Sequence, residues 1–313
     1  MTAQRQPLAV VAGPTASGKT ALAVALAKVL NGEVVSADSM QVYKDIPVAT
    51  AAPSFDERDG IPHHLIGHVS LSESYSVARY AEEARRVIDE IAQRGRLPIL
   101  CGGTGLYIAA VTDNIRYGEQ DEEKVKAIRA RLQEEAALKG DQAMWDTLHT
   151  FDPTLADKLH IHDRGRVLRA IEMYELTGVP MSEWHQRQKA EPSPYDVKML
   201  VLDFKDRARL YDRIDRRVDG MLKNGLLEET AAVLRLESPT AEQAIGCKEL
   251  RPYFDAECSL HEALEVMKRR SRQYAKRQMS WFRRLTTAHV LYVDDYADFD
   301  LLVEAASAFI QTD

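Results

Sequence analysis

The sequence predicts an α/β fold: a parallel sheet flanked by helices, interrupted by an all-helical insertion. Three observations carry this. Leu8–Ala12 (LAVVA) and Leu97–Cys101 (LPILC) are short continuous apolar runs, the pattern of strands buried on both faces. Helical spacing fills the intervals between such runs, as crossover connections require. From about Asp121 to Lys189 the helical signals continue with no convincing strand.

Taken in order, Leu8–Ala12 is the first strand, and a glycine-rich stretch leads into a helix over Ala21–Leu30. Asn31-Gly32 ends that helix, and Glu33–Ser36 reads as a second strand. Ser76–Arg94 has amphipathic spacing and closes at Gly95. Leu97–Cys101 then ends in Gly102-Gly103. Asp121–Leu138 is charged and helical. Asp152-Pro153 is an N-cap and first-turn pair, and Arg164–Thr177 is a helix stopped by Gly178. Glu191-Pro192-Ser193-Pro194 breaks the chain before strand character returns at Lys198–Leu202. Asp206 caps a helix to about Lys223, with Leu210, Ile214, Val218 and Met221 as its apolar stripe. Ser259–Glu262 is a capping box opening a helix to about Leu285. His289–Val293 is a last strand, and a helix follows it. The expected domains are a core of residues 1–118 and 198–313, with 119–197 inserted.

Composition narrows the function classes. The chain has 313 residues, 45% hydrophobic and 28% charged, which excludes a disordered or fibrous protein. Lys plus Arg is 41 and Asp plus Glu is 48, a formal charge of −7. That argues against non-specific coating of nucleic acid but leaves room for a local basic site. Cys101, Cys247 and Cys258 are widely spaced with no CxxC pair, so neither a disulfide framework nor a zinc site is expected. No apolar run approaches a membrane span, and Leu8–Ala12 is too short for a signal-peptide core. A cytoplasmic monomer is expected.

The strongest chemical signal is Gly13-Pro14-Thr15-Ala16-Ser17-Gly18-Lys19-Thr20, a full match to GxxxxGK[ST]. It lies between a strand and a helix, the context in which such a loop binds phosphate. Its glycines let backbone N–H groups close around phosphate oxygens, and the helix start adds its positive dipole end. Lys19 supplies a point charge, and Thr20 is placed to ligate Mg²⁺. The loop does not reveal which phosphate compound it holds. Asp38 follows the second strand, where open α/β sheets place their ligands. A carboxylate there holds Mg²⁺, takes a proton, or merely caps a helix.

Met267–Arg284 carries eight Lys and Arg residues and no acid, interleaved with Tyr274, Trp281 and Phe282. Such a segment neutralises RNA phosphates and stacks on exposed bases, or is a solvated face over an aromatic core stripe. His63-His64 has no Cys or His partner at ligand spacing, so a structural or hydrogen-bonding role is expected.

Eight stretches, in order, resemble the bacterial tRNA dimethylallyltransferases. They are GPTASGKT, SADSMQVY (Ser36–Tyr43), PHHLI (Pro62–Ile66), GGTGLY (Gly102–Tyr107), RGRVLRAIE (Arg164–Glu172), RIDRRV (Arg213–Val218), AIGCKE (Ala244–Glu249) and QYAKRQMSWFR (Gln273–Arg283). That family transfers a five-carbon prenyl group from dimethylallyl diphosphate to N6 of adenosine 37, beside the tRNA anticodon. The resemblance implies a P-loop kinase-like core, a loop that holds a diphosphate, and an inserted helical domain gripping the anticodon stem. It implies Asp38 as general base, Thr15 near the reacting centre and Arg213 on the diphosphate. It also implies tRNA contacts at Asp38, Ser39, Met40, Gln41, Thr104, Gly246, Lys248, Lys276, Arg277, Gln278, Trp281 and Arg283. Arg164, Arg166 and Arg169 would meet the stem. The chain departs from the usual pattern at Ala49–Pro53 (ATAAP for GTAKP), at Cys247 (IGCKE for IGYKE) and at Gly67, where Asp is usual. The rival readings are a small-molecule kinase or NTPase on the same loop, a nucleotide-gated RNA-binding protein, and a relative that prenylates free AMP.

Overall fold

The computed structural model of the chain describes residues 5–113, 115, 122–190, 192–236 and 246–312. Six parallel strands form one sheet: β1 (Gln6–Ala12), β2 (Gly32–Ser36), β3 (His63–His64), β4 (Leu97–Gly102), β5 (Tyr195–Asp203) and β6 (His289–Tyr292), in the spatial order β3-β2-β4-β1-β5-β6. β1 is central. Its Val11 pairs with Cys101 of β4 on one side and with Leu200 of β5 on the other. The strand order therefore reverses at β1, and the crevice at its carboxyl end is where sheets of this kind take ligands.

The sheet is buried on both faces because its strands alternate between two cores. Val10, Ala12, Val35 and Leu100 face one core with Tyr80 and Ile88 of α3 (Val77–Gln93, after α1 Lys19–Val29 and α2 Phe55–Arg58) and Ile108 of α4 (Gly105–Thr112). Ala9, Val11, Val34, Ile99 and Leu200 face the other, against Leu22 and Leu26 of α1. Each fully buried Leu or Ile contributes about 1.5–3 kcal/mol. This double burial is why LAVVA and LPILC read as continuous apolar runs.

The chain divides into two compact units, Met1–Thr112 with Pro194–Asp313, and Asp113–Ser193. Among its described residues the second unit is helical: α5 (Glu122–Phe151), α6 (Pro153–Ala156), α7 (Arg164–Thr177) and α8 (Met181–Ala190). Leu132, Met144, Leu148, Val167 and Ile171 form its core. α5 runs past the expected end at Leu138, with a break in helical geometry at Gly140 (φ +81°). Asp152 caps α6 by accepting the Leu155 N–H at 3.1 Å. Asp121 and Glu191, at expected element boundaries, lie outside the described residues.

After β5 come α9 (Arg207–Lys223), α10 (Leu226–Leu234), α11 (Cys247–Phe254) and α12 (Leu260–Phe282), and after β6 α13 (Phe299–Gln311). Asp206 caps α9, accepting the Ala208 N–H at 2.9 Å, and the expected stripe of α9 is buried. Ser259 and Glu262 form the capping box of α12. The two-residue β3 is too short to show periodicity. His64 is fixed by Glu33 at 2.7 Å and His63 Nδ1 by the Ile61 carbonyl at 2.9 Å, a hydrogen-bonding pair. Ala244 and Ile245 of the AIGCKE stretch lie outside the described residues. Among those residues no helix is long and apolar enough to cross a membrane.

Candidate active site

Gly13–Thr20 leaves the end of β1 and enters α1. Gly18 caps α1 at φ +95° with no side-chain hydrogen bond, so the first N–H groups of the helix stay open to an anion. Ser17 Oγ is buried with no hydrogen-bond partner among the described residues, as a group awaiting a ligand oxygen would be. Lys19 is half-buried, and its ammonium makes a long hydrogen bond, 3.4 Å, to the Pro14 carbonyl. Burial pushes the Lys19 ammonium below the usual lysine value, and the nearby Arg217 charge adds to this; Cys101 and Asp38 oppose it. The loop is short of negative charge.

Asp38 lies beyond the end of β2. Its Oδ1 accepts the N–H of Met40 at 3.0 Å and of Gln41 at 3.4 Å, which fixes the carboxylate as the turn residue the sequence allowed. Oδ2 has no hydrogen-bond partner among the described residues. One oxygen is therefore used for orientation while the other stays available. The glycines of GGTG make this approach possible. A Cβ on Gly102 would stand 2.1 Å from the Ala37 carbonyl oxygen, and one on Gly105 would stand 2.2 Å from the Trp281 ring. Thr104 Oγ1 accepts the Ser39 N–H at 3.1 Å.

Gln278 is buried in α12 and joins two loops. Its Oε1 accepts the Thr15 N–H at 2.9 Å, and its Nε2 donates to the Gly103 carbonyl at 3.0 Å. Both ends of this amide are thus occupied within the chain. Tyr274, one turn earlier, has its hydroxyl pushed up to about 12 by burial and by the Asp38 charge.

α9 supplies two arginines of different character. Arg213 donates from Nε to the Ala16 carbonyl at 2.8 Å and lines an outer, open cleft of about 1140 Å³. Arg217, one turn on, is deeper: it donates to Thr15 Oγ1 at 2.9 Å and to the Thr50 carbonyl at 3.2 Å. Burial holds the Arg217 guanidinium below its ordinary value, and Asp38 partly offsets this. A cavity of about 340 Å³ is lined by Thr15, Lys19, Thr20, Asp38 and Arg217 together. Ser39, Met40, Gln41, Arg277 and Gln278 also line it. Its apolar wall is Ala49, Ile214, Val218, Met221 and Met267. Of the three catalytic candidates, Thr15 and Asp38 line this cavity and Arg213 does not. Arg217 is the residue that reading the sequence missed. The signal available was its place in RIDRRV, four residues after Arg213 and therefore on the same helix face.

The eight cations of α12 and its end separate by partner. Arg272 is paired with Asp215 at 2.5 Å and Lys268 with Asp219 at 2.9 Å, both on α9. Arg283 lies 3.7 Å from Asp203. Arg269, Arg270, Lys276, Arg277 and Arg284 are exposed, with no carboxylate partner among the described residues. Arg277 also lies over the Tyr274 ring, 5.6 Å from its centre. Trp281 packs against Gly105, Lys248 is exposed on α11, and Gly246 has Ala49 Cβ 3.4 Å from where its own Cβ would stand. In the helical unit Arg164 pairs with Asp141 at 2.5 Å, Arg166 with Asp163 at 3.3 Å, and Arg169 with Glu172.

The profile of a family described as IPP transferase matches residues 41–285. The chain belongs to the IPP transferase family. Within reach of it, a protein named tRNA dimethylallyltransferase from Thermoanaerobacter sp. (strain X514) is 43% identical over 299 residues, covering 94% of each chain. One of the same name from Enterococcus faecalis is 44% identical over 281 residues, 90% of this chain and 89% of that one. The crystal structure of the full-length tRNA isopentenylpyrophosphate transferase from Bacillus halodurans superposes with a TM-score of 0.72. It is 41% identical and covers 98% of this chain and 96% of that one. A eukaryotic dimethylallyltransferase described as acting on tRNA gives a TM-score of 0.80 at 32% identity, covering 96% of this chain and 77% of that one. These IPP transferases share the parallel α/β architecture described above.

Proposed function

We propose that this IPP transferase carries a dimethylallyl group from dimethylallyl diphosphate to N6 of adenosine 37 in tRNA, releasing diphosphate. The observation that supports it most is the mixed character of the 340 Å³ cavity: phosphate-loop cations and a free carboxylate oxygen share it with an apolar wall. A substrate with a charged diphosphate head and a short hydrocarbon tail matches both halves.

Exocyclic N6 is a poor nucleophile because its lone pair is delocalised into the ring. Asp38 Oδ2 accepts the N6 proton as the bond to the prenyl carbon forms, and a positioned base contributes roughly 10²–10⁴-fold. The C–O bond to diphosphate breaks in the same step, and negative charge collects on the leaving group. Lys19, Arg217 and the open N–H groups of the loop meet that charge as it develops. The allylic carbon tolerates early loosening because its positive charge is delocalised. Thr15, held by Gln278 and Arg217, lines the same cavity as an orienting hydroxyl. Arg213 backs the loop from the outer cleft.

The Thr20 hydroxyl, a hard oxygen donor of the kind Mg²⁺ takes, lines the cavity. No cluster of three or more His, Cys, Asp or Glu that could hold a metal occurs among the described residues. Mg²⁺ would be held by the Thr20 hydroxyl together with diphosphate oxygens and water. When bound, Mg²⁺ would help neutralise the leaving diphosphate.

For the RNA, the exposed cations of α12 are the proposed phosphate contacts, and the helical unit is assigned to the anticodon stem. The adenine must leave the loop stack to reach Asp38, at a cost of a few kcal/mol. Incubation with labelled dimethylallyl diphosphate, tRNA and Mg²⁺, beside labelled ATP, tests the reading. Prenyl label in tRNA is expected. Phosphoryl label in a small molecule would establish the kinase instead, and transfer to neither would leave an RNA-binding protein.

A further inference from the structure

Arg217 can act on a leaving group only if its guanidinium is held at one angle, and the backbone that holds it is a strained turn. In the segment 46–52, the N–H of Thr50 bonds the Ile46 carbonyl at 3.2 Å, that of Ala51 the Val48 carbonyl at 2.9 Å, and that of Ala52 the Pro47 carbonyl at 2.9 Å. Ala51 sits at φ +44°, left-handed backbone that a non-glycine residue adopts only when its surroundings impose it. The N–H groups of Val48 and Ala49 have no backbone acceptor in this turn. Both are taken by one side chain from far along the chain: Glu229 Oε2 accepts Val48 N–H at 2.8 Å, and Oε1 accepts Ala49 N–H at 2.7 Å. Glu229 is half-buried in the first turn of α10 and forms no ion pair among the described residues.

The other side of the same turn faces the site. The Thr50 carbonyl accepts Arg217 Nη2 at 3.2 Å and Gln41 Nε2 at 3.4 Å, and the Ala51 carbonyl accepts Gln41 Nε2 at 3.1 Å. Two of the five N–H donors of Arg217 are thus fixed, one on Thr50 and one on Thr15. We propose that Glu229 is a positioning residue: its carboxylate clamps the 46–51 turn, and the turn aims Arg217 at the leaving diphosphate. This rests on the prenyl-transfer reading for what Arg217 meets. Glu229 itself is not among the residues that line the cavity.

The test is a double-mutant cycle on two readouts, binding of inorganic pyrophosphate and single-turnover prenyl transfer on pre-bound tRNA. In Glu229→Gln one N–H keeps an acceptor while the other faces the new amide donor, so half the clamp is lost without a change of shape. Transfer should slow and pyrophosphate binding weaken, each roughly 10- to 100-fold, the scale on which small misplacements act. Affinity for tRNA should stay unchanged. In an Arg217→Gln background the same substitution should add little, because the path it acts through is already cut. Additive effects, or a Glu229→Gln enzyme with wild-type pyrophosphate affinity, would overturn the proposal. Should Glu229→Gln fail to fold, Glu229→Asp, which keeps both oxygens but falls short of the turn, runs the same cycle with the same criteria. The pyrophosphate arm decides the clamp even if the wild type moved no prenyl group, an outcome that would defeat the functional reading alone.

Discussion

Asp38 answers two sequence readings at once. As a turn residue it gives Oδ1 to the Met40 and Gln41 N–H groups, and that leaves Oδ2 for chemistry. Residue identity showed the carboxylate, but only the fold shows that one oxygen is free. Arg217 was less legible. RIDRRV offers three arginines, and which of them turns inward depends on how α9 packs, with Ile214 and Val218 buried beside it. Lys19 gives a pH prediction. Burial first, then Arg217, lowers its pKa. A lysine with a lowered pKa is charged below that value and neutral above it. Bound diphosphate favours the charged form, so binding and protonation of Lys19 support each other. Pyrophosphate affinity should therefore fall as pH rises from neutral towards the ordinary lysine range, and Lys19→Ala should flatten that fall while remaining folded. Binding isotherms over this range check it; an unchanged slope in Lys19→Ala would assign the effect to another group.

At the scale of elements, strand and helix positions were largely readable because burial leaves a periodic mark. The stripe Leu210, Ile214, Val218 and Met221 of α9 and the capping box of α12 stand as expected. The GGTG stretch was readable as a motif but not as a cause, since what Gly105 makes room for is Trp281, far along the chain. Gly105→Ala should destabilise by about 1–3 kcal/mol, because the ring backs a packed core. Gly165→Ala, in α7 with nothing within 4 Å of the added methyl, should stabilise by about 0.5–1 kcal/mol. Opposite shifts in Tm for the two variants are expected; equal shifts would contradict the packing account. The basic stretch on α12 was legible as charge, not as direction. The structure assigns Arg272 and Lys268 to the carboxylates of α9 and leaves Lys276 and Arg277 exposed. If these two meet phosphates, replacing both with Ala should reduce the slope of log K for tRNA against log salt by about one or two units. A salt titration of wild type and double variant measures this, and an unchanged slope would move the RNA contact elsewhere. The arginines of α7 are a weaker alternative, because each has an acidic partner.

Over the whole molecule, a net charge of −7 opposes tRNA at long range while the cations of α12 attract it at contact. At physiological salt the Debye length is ~8 Å, so the local patch outweighs the total. The parallel sheet and the helical stretch that interrupts its sequence were visible in residues such as Leu8–Ala12 and Arg164–Thr177, which carry their own periodicity. The union of Thr15, Asp38 and Arg217 on one cavity was not, because residues 202 positions apart meet only through the β1 switch point and the packing of α9. A single turnover tests whether that union performs the transfer. Enzyme with pre-bound tRNA is mixed with saturating labelled dimethylallyl diphosphate, and label in tRNA is followed for wild type and Asp38→Asn. Label at adenosine 37 and one diphosphate released per label are expected in the wild type. Asp38→Asn should be slower by roughly 10²–10⁴, with tRNA affinity little changed. Full-speed transfer by Asp38→Asn, or label that persists when adenosine 37 is replaced, would contradict it.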